Sequence, residues 1–292
     1  MILGALEAGG TKMVLAVGNE DGSILEREEI KTTTPEETLP LLAEWFKERN
    51  IEALGIGCFG PVGVDSEADN YGYILDTPKE SWKNCNILGF FKDYLNIPVK
   101  IDTDVNGSCL GEITYGAARG VKNIVYLTIG TGIGAGIAVD GKLLHGMLHP
   151  EAGHMMMSKI GCDRGKCICP YHSSCFEGLA SGPSIKARYK KEPYELADND
   201  FVWELESYYI AVGLVNLMMT VSPQKIILGG GVMHQESLFP KIRKKFKELV
   251  NGYIKTPEME DLDNFIVPNS LDDNQGILGA FVLAKQATRP LY

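Results

Sequence analysis

The sequence predicts an α/β protein of two lobes with a cleft between them. Three observations carry this. Strand and helix signals alternate from end to end, a strand–turn–strand unit occurs twice, and 292 residues suit two lobes of ordinary size better than a single core. The repeated unit lays Leu6–Val17 over Leu127–Val139, each an apolar strand, a turn rich in glycine and threonine, and a second apolar strand. Asp-Gly turns follow both copies, at Asp21-Gly22 and Asp140-Gly141. Two related lobes would each offer one turn to the cleft; the competing reading is coincidence in a glycine-rich chain.

The first third reads as strands near 2–7, 12–18 and 23–30. A helix then opens at Thr34-Pro35-Glu36-Glu37, which combines an N-cap, a proline at the first helical position and acids in the first turn. Ala53–Cys58 is a strand, Asn86–Leu95 a short amphipathic helix, Pro98–Asp102 a strand, and a helix follows from about Asp104. Further on, Ile124–Ile129 and Gly134–Val139 pair as strands, and a long helix runs from Phe201 to Val221 and stops at Pro223. Lys225–Leu228 is a strand, Ser237–Val250 a basic amphipathic helix, Phe265–Val267 a strand and Asn274–Ala287 a closing helix.

Hydrophobic residues make up 45% and charged residues 23%, the balance of a soluble globular protein. No secretory signal and no apolar run of about 18 residues is found, so a cytoplasmic protein without a membrane partner is expected. A net charge of −10 disfavours nucleic acid, whose phosphates meet repulsion over most of this surface. It does not disfavour a single nucleotide in a glycine-rich pocket with a divalent cation. Of seven cysteines, Cys58, Cys85 and Cys109 are scattered and read as small buried hydrophobes. Cys162, Cys167, Cys169 and Cys175 crowd one stretch, where metal binding explains them better than disulfides in a cytosolic protein.

Glycine lets backbone N–H groups approach phosphate oxygens, and threonine adds a hydroxyl donor. Gly9-Gly10-Thr11-Lys12 offers amides, a hydroxyl and a cation, and Gly130-Thr131-Gly132 the same without the cation. Gly136 to Lys142 spells G-x-x-x-x-G-K, but Leu143 stands where a P-loop needs Ser or Thr, and the segment reads as a hairpin. The run Gly130-x-Gly132-x-Gly134-x-Gly136 lacks the dinucleotide-binding spacing and leads into a strand. A third cluster, Gly229-Gly230-Gly231-Val232, would let an adenine or ribose lie against bare backbone. Ordinary hairpins are the competing reading for either turn alone.

These motifs resemble the ROK family (repressor, open reading frame, kinase) of the actin-like sugar kinases. The resemblance covers nearly the whole chain: Glu7-x-Gly-Gly-Thr-Lys12, Gly60-Pro61-Val62, Asp104-Val-Asn106, Leu127-Thr-Ile-Gly-Thr-Gly132, Glu151-Ala-Gly-His154, the cysteine cluster, Gly229-Gly-Gly-Val232 and Gly276-Ile-Leu-Gly-Ala280. It implies a two-lobed actin-like ATPase (ribonuclease H-like) fold. A small lobe of 1–116 plus 276–292 would sit beside a large lobe of 117–275, with the last helix packed back on the small lobe. It also implies ATP with Mg²⁺ as cofactor, a small hexose as acceptor and a homodimer.

In the family the residue matching Asp104 accepts the proton of the sugar hydroxyl. Asp104 suits this where a strand hands over to a helix, and capping that helix is its other possible role. Asp102 is the nearest competing carboxylate, on the same face and one step deeper. The family usually has Asn where this chain has Thr103, a departure that puts aldohexose recognition in doubt. It usually has Asp in place of Glu7, where a carboxylate helps position Mg²⁺ through water. Thr128 and Gly182-Pro183 join the nucleotide contacts by resemblance. Gly60, Pro61, Thr103, Glu151, His154 and Glu177 join the sugar contacts, with His154 also bound to metal. Lys31, Lys79 and Trp82 are candidates for the sugar mouth that the sequence does not separate from surface and packing roles.

Cys169-Pro-Tyr-His172-Ser-Ser-Cys175 spaces three ligands at i, i+3 and i+6, with His154 fifteen residues ahead. The set His154, Cys169, His172 and Cys175 would fill a tetrahedral structural zinc site and leave no position for substrate. Cys167 competes with His172, because Cys167-Ile-Cys169 keeps the three-cysteine form of the family's glucokinases. The C-P-Y-H-x-x-C form is more similar to the bacterial fructokinases, so fructose is the expected sugar, with mannose, glucose or an N-acetylhexosamine as alternatives. The family also contains repressors with a DNA-binding helix-turn-helix ahead of the kinase-like part. A first strand near Ile2 and an acidic charge argue against that reading, and an intact Asp104 with both turns argues against an inactive binding protein.

Overall fold

In the computed structural model, which describes residues 1–289, the first strand, β1 (Ile2–Ala8), is buried on both faces. Leu3 and Ala5 point to one side, Leu6 and Ala8 to the other. It pairs antiparallel with β2 (Lys12–Asn19), which pairs antiparallel with β3 (Ile24–Lys31). On its other edge it pairs parallel with β4 (Ala53–Cys58), and β4 with β5 (Val99–Thr103), giving the order β3-β2-β1-β4-β5. Every residue of β4 is buried, as a central parallel strand covered by helices requires.

Helices α1 (Pro35–Glu48) and α2 (Ile87–Leu95) cover one face with Leu39, Leu42, Phe46 and Phe91. Pro35 opens α1 as expected, but Thr34 makes no side-chain cap; instead the Thr33 N–H donates to Thr38 Oγ1 at 3.1 Å. Asn86 caps α2 by accepting the Gly89 N–H at 2.8 Å, and Asn96 ends it in the left-handed region at φ 53°.

The other face carries the small residues Ala5, Ala16 and Ala53 beside Leu3 and Val14, and there α3 (Asp104–Thr114) and α10 (Gln275–Ala287) lie against the sheet and each other. A Cβ on Gly279 would stand 1.7 Å from the Gly107 carbonyl oxygen, and one on Gly55 1.8 Å from the Ala280 carbonyl oxygen. The helices therefore meet backbone to backbone. Buried Glu112 fastens the entry of the chain into this layer, accepting the Ser270 N–H, the Ser270 hydroxyl and the Ala117 N–H, each at 2.8 Å.

The chain divides into two compact units. The first comprises Met1–Gly120, Leu143–Pro150 and the chain from Ser270 onward; the second, Val121–Lys142 and Glu151–Asn269. Residues 143–150, expected in the 117–275 lobe, belong to the first unit because its polar groups hold them: His145 Nε2 lies 2.9 Å from Asp102, and the Val62 N–H donates to His149 Nε2 at 3.4 Å.

The second unit repeats the sheet style. The hairpin of β6 (Ile124–Ile129) and β7 (Ile133–Val139) is joined on the β6 side by parallel β9 (Lys225–Gly229) and β10 (Ile266–Pro268), and on the β7 side by the short β8 (Lys142–Leu143). Helices α4 (Phe176–Ala180), α5 (Gly182–Tyr189), α6 (Asp200–Val221) and α7 (Leu238–Val250) supply the rest of its core, followed by the short α8 (Pro257–Glu260) and α9 (Leu262–Phe265). The basic face of α7 is tied down: Lys241 reaches Asp200 at 2.7 Å and Glu204 at 2.8 Å. Helix α5 escapes a sequence reading because it opens on Ser181-Gly182-Pro183, which reads as a loop; Ser181 is its cap.

Replacing Gly279 by Ala is expected to destabilise the chain by about 2–3 kcal/mol, since the clash is with backbone that cannot rotate away. Gly107→Ala, whose Cβ meets nothing closer than 3.7 Å, should be nearly neutral. Chemical denaturation of both variants checks the contrast.

Candidate active site

Two carboxylates stand near one another at strand and helix ends of the first unit. Glu7 lies at the end of β1, and its carboxyl abuts the opening turn of α10, where a Cβ on Gly276 would meet it at 2.7 Å. Burial pushes Glu7 up to about 7, and the charge of Asp104 adds to this, against Lys12 and Arg27. Asp104 is the first residue of α3 and half-buried, and burial lifts it to about 6, opposed by the Val105 N–H that donates to its Oδ1 at 2.8 Å. Its own backbone amide opposes the rise as well. Such a carboxylate can take a proton near neutral pH.

The neighbours of Asp104 are occupied. Thr103, not Asp104, caps α3: its hydroxyl accepts the Asn106 N–H at 3.1 Å, and the residue is buried. Asp102 is buried too, and accepts from the Thr103 N–H at 2.8 Å and from Asn106 Nδ2 at 2.6 Å. Asp104 is therefore the carboxylate left available.

The first turn is closed by the Gly9 N–H, which donates to the Lys12 carbonyl at 3.1 Å, and is braced by Thr32, whose hydroxyl donates to the Gly9 carbonyl at 2.8 Å. Gly10 is partly exposed and Thr11 exposed. Lys12 does not supply a free cation here, because its Nζ pairs with Glu29 at 2.7 Å beside Arg27. The stem of Lys79 covers the turn instead, with Cε 3.2 Å from where a Gly10 Cβ would stand. Trp82 is a packing residue, buried and donating its Nε1–H to the Thr33 carbonyl at 2.8 Å. Gly60 and the cis-linked Pro61 lie against buried His149, whose ring is 3.4 Å from a Gly60 Cβ. His145 and His149 carry no local sequence signal, since no spacing ties them to another residue.

In the second unit the remaining glycine motifs converge. The Gly130 N–H donates to the Gly132 carbonyl at 2.9 Å, and the Gly130 carbonyl accepts the Gly182 N–H at 2.8 Å. A Cβ on Gly130 would lie 3.6 Å from the Gly231 nitrogen, one on Gly182 3.7 Å from Val232, and one on Gly230 2.7 Å from Thr128 Oγ1. Thr131 is exposed on the turn, and Pro183 follows Gly182 in the first turn of α5. Gly229 begins the cluster at the end of β9. Glu177 accepts the Ile133 N–H at 2.9 Å, so one of its oxygens anchors the turn.

His154, Cys169, His172 and Cys175 bring their ligand atoms within 4.8 Å of one another. Cys169 Sγ lies 3.8 Å from His154 Nδ1 and 3.4 Å from His172 Nδ1, and Cys175 Sγ 3.9 Å from His154 Nδ1. Tetrahedral bonds of about 2.0–2.3 Å put neighbouring ligands at about 3.3–3.8 Å, so the donor set suits a metal ion. Cys167 lies outside this set and donates its thiol to the His172 carbonyl at 3.2 Å. The Gly178 N–H donates to Cys175 Sγ at 3.4 Å, a second bond that orients the ligand. Glu151 is exposed just ahead of the Ala152–His154 turn.

The sequence pattern that defines the ROK family matches residues 3–287. The chain belongs to the ROK family. It is 45% identical over 289 residues to a fructokinase of Pediococcus pentosaceus, covering 99% of each chain. It is 41% identical over 295 aligned positions to a fructokinase of Zymomonas mobilis, covering 98% of this chain and 97% of that one. A ROK family glucokinase from Streptomyces griseus, solved with glucose and AMPPNP, superposes with a TM-score of 0.78 at 24% identity over 98% of this chain and all of that one. The fold is thus that of the ROK sugar kinases, the actin-like ATPase architecture that the motifs implied.

Within this ROK chain the cluster is expected to bind a divalent metal through His172 rather than Cys167. Elemental analysis should find metal retained in Cys167→Ser and lost in Cys169→Ser.

Proposed function

We propose that the chain is a fructokinase, transferring the γ-phosphoryl group of ATP to fructose to give fructose 6-phosphate. The full-length likeness to chains named fructokinases carries the choice of sugar. Asp104 supports the chemistry. A recessed carboxylate held by backbone amides accepts the proton of the attacking hydroxyl, at the end of a rigid strand–helix junction. Phosphoryl transfer asks little more of a protein than positioning and charge compensation.

In this reading the candidate phosphate donors are the Gly9 and Gly10 amides and Thr11 hydroxyl of the first unit, and the Gly130 and Gly132 amides and Thr128 and Thr131 hydroxyls of the second. Gly182-Pro183 and Gly229–Val232 present backbone to the nucleoside. Glu151, His154 and the second oxygen of Glu177 are candidate ligands of sugar hydroxyls, and Gly60-Pro61 is a further candidate sugar contact. Glu7 fits a role toward Mg²⁺, because a half-buried carboxylate lifted to about 7 beside a like charge gains most from a nearby cation. Bound Mg²⁺ would neutralise charge on the transferring phosphate. The two-nitrogen, two-sulfur set fits Zn²⁺, and with all four positions taken by protein it would fix the loop that carries His154 and Glu177. The dimer common in the family is the expected assembly.

A coupled ADP-release assay across hexoses should show fructose turned over best; glucose far ahead of fructose would overturn the choice of sugar. Asp104→Asn should lower kcat by about 10²–10⁴-fold with ATP still bound, and near-normal turnover would place the base elsewhere. Because burial favours the neutral acid and catalysis needs the ionised one, kcat/KM should fall about tenfold per unit as pH drops below about 6, read from a pH–rate profile.

A further inference from the structure

Residues 143–150 form a strap on the first unit, with a histidine near each end. The Val62 N–H donates to buried His149 Nε2 at 3.4 Å, which pins one end. At the other end His145 Nε2 lies 2.9 Å from Asp102 Oδ2. The opposite oxygen of Asp102 takes the Thr103 N–H at 2.8 Å and Asn106 Nδ2 at 2.6 Å. Among the described residues, His145 is the donor that serves Oδ2.

Asn106 closes the arrangement. Its N–H donates to Thr103 Oγ1 at 3.1 Å, its side-chain nitrogen lies 3.4 Å from His145 Nε2, and its Oδ1 is buried with no hydrogen-bond partner among the described residues. Thr103, Asn106 and Asp102 thus wrap the first turn of α3, whose leading residue is Asp104. A buried carboxylate with one oxygen unserved would turn or draw in water, and the Asn106 bond would turn with it.

We propose that His145 is a positioning residue for Asp104: by donating to buried Asp102 it locks Asn106 and the first turn of α3, and so fixes the direction of the Asp104 carboxylate. This rests on the phosphoryl-transfer reading above. The charged and titratable groups facing His145 are Asp102, whose hydrogen bond raises it above the ordinary histidine value, and Lys100, which opposes this along with burial. His149, held low by burial, faces the same group. A histidine raised in the folded state adds stability below its unfolded value, and that stability is lost as pH rises through the folded one.

The test uses the full chain with His145→Ala and His145→Gln, the latter keeping a side-chain N–H donor that does not titrate. His145→Ala should lower kcat for fructose about 10- to 100-fold with the KM for ATP unchanged, and His145→Gln should recover most of it. The Tm lost in His145→Ala should be larger at about pH 5.5 than at about pH 8.5. Wild-type kcat in His145→Ala, equal slowing in both variants, or equal Tm loss at both pH values would overturn the proposal. A wild-type chain inert toward every hexose would sink the kinase reading instead, while the Tm comparison still decides the His145–Asp102 lock.

Discussion

Contact between the backbones of α3 and α10 is the constraint on which the first unit depends. Side chains usually hold packed helices about 8–10 Å apart; here Gly279 lets the Gly107 carbonyl come to where its own side chain would begin. Both carboxylates of interest sit at the ends of this contact. Asp104 leads α3, and Gly276, in the first turn of α10, admits Glu7 against the backbone. Close packing also takes both acids partly out of water, which is why burial heads the causes that raise each of them. The geometry that places the acids therefore also sets their proton affinity.

The second unit builds its proposed nucleotide surface differently, from main chain rather than from charged side chains. Three glycine-bearing segments meet around Gly130, Gly182 and Gly230–Gly231, and Glu177 braces them through the Ile133 amide. A surface of amides repels no phosphate and needs no lysine. This is consistent with the pairing of Lys12 to Glu29 and with an acidic protein that carries a net charge of −10.

Much of this was legible in the sequence, because period and punctuation are local. The strand–turn–strand copies, the long helix ended before Pro223 and the i, i+3, i+6 metal spacing all declare themselves within a few residues. What stayed hidden was set by partners far along the chain. Glu112 carries no local sign of Ser270, the partner 158 residues away that satisfies it. His145 and His149 read as loop residues until Asp102 and Val62 claim them. Lys12 reads as a phosphate cation because the turn motif contains it, and only strand pairing brings Glu29 alongside. The choice between His172 and Cys167 was likewise open in the sequence; the folded chain groups His172 with the other three ligands and leaves the Cys167 thiol on the His172 carbonyl.

The first unit is stitched from three separated stretches, the last beginning at Ser270. A ribosome makes the five strands of its sheet early, then the whole of the second unit, and only afterwards α10, which covers the Ala5, Ala16 and Ala53 face. Until that helix emerges, an apolar surface stands open and Glu7 lacks its lid. Translation order thus makes the first unit the last to be completed, with part of its sheet uncovered in the interval.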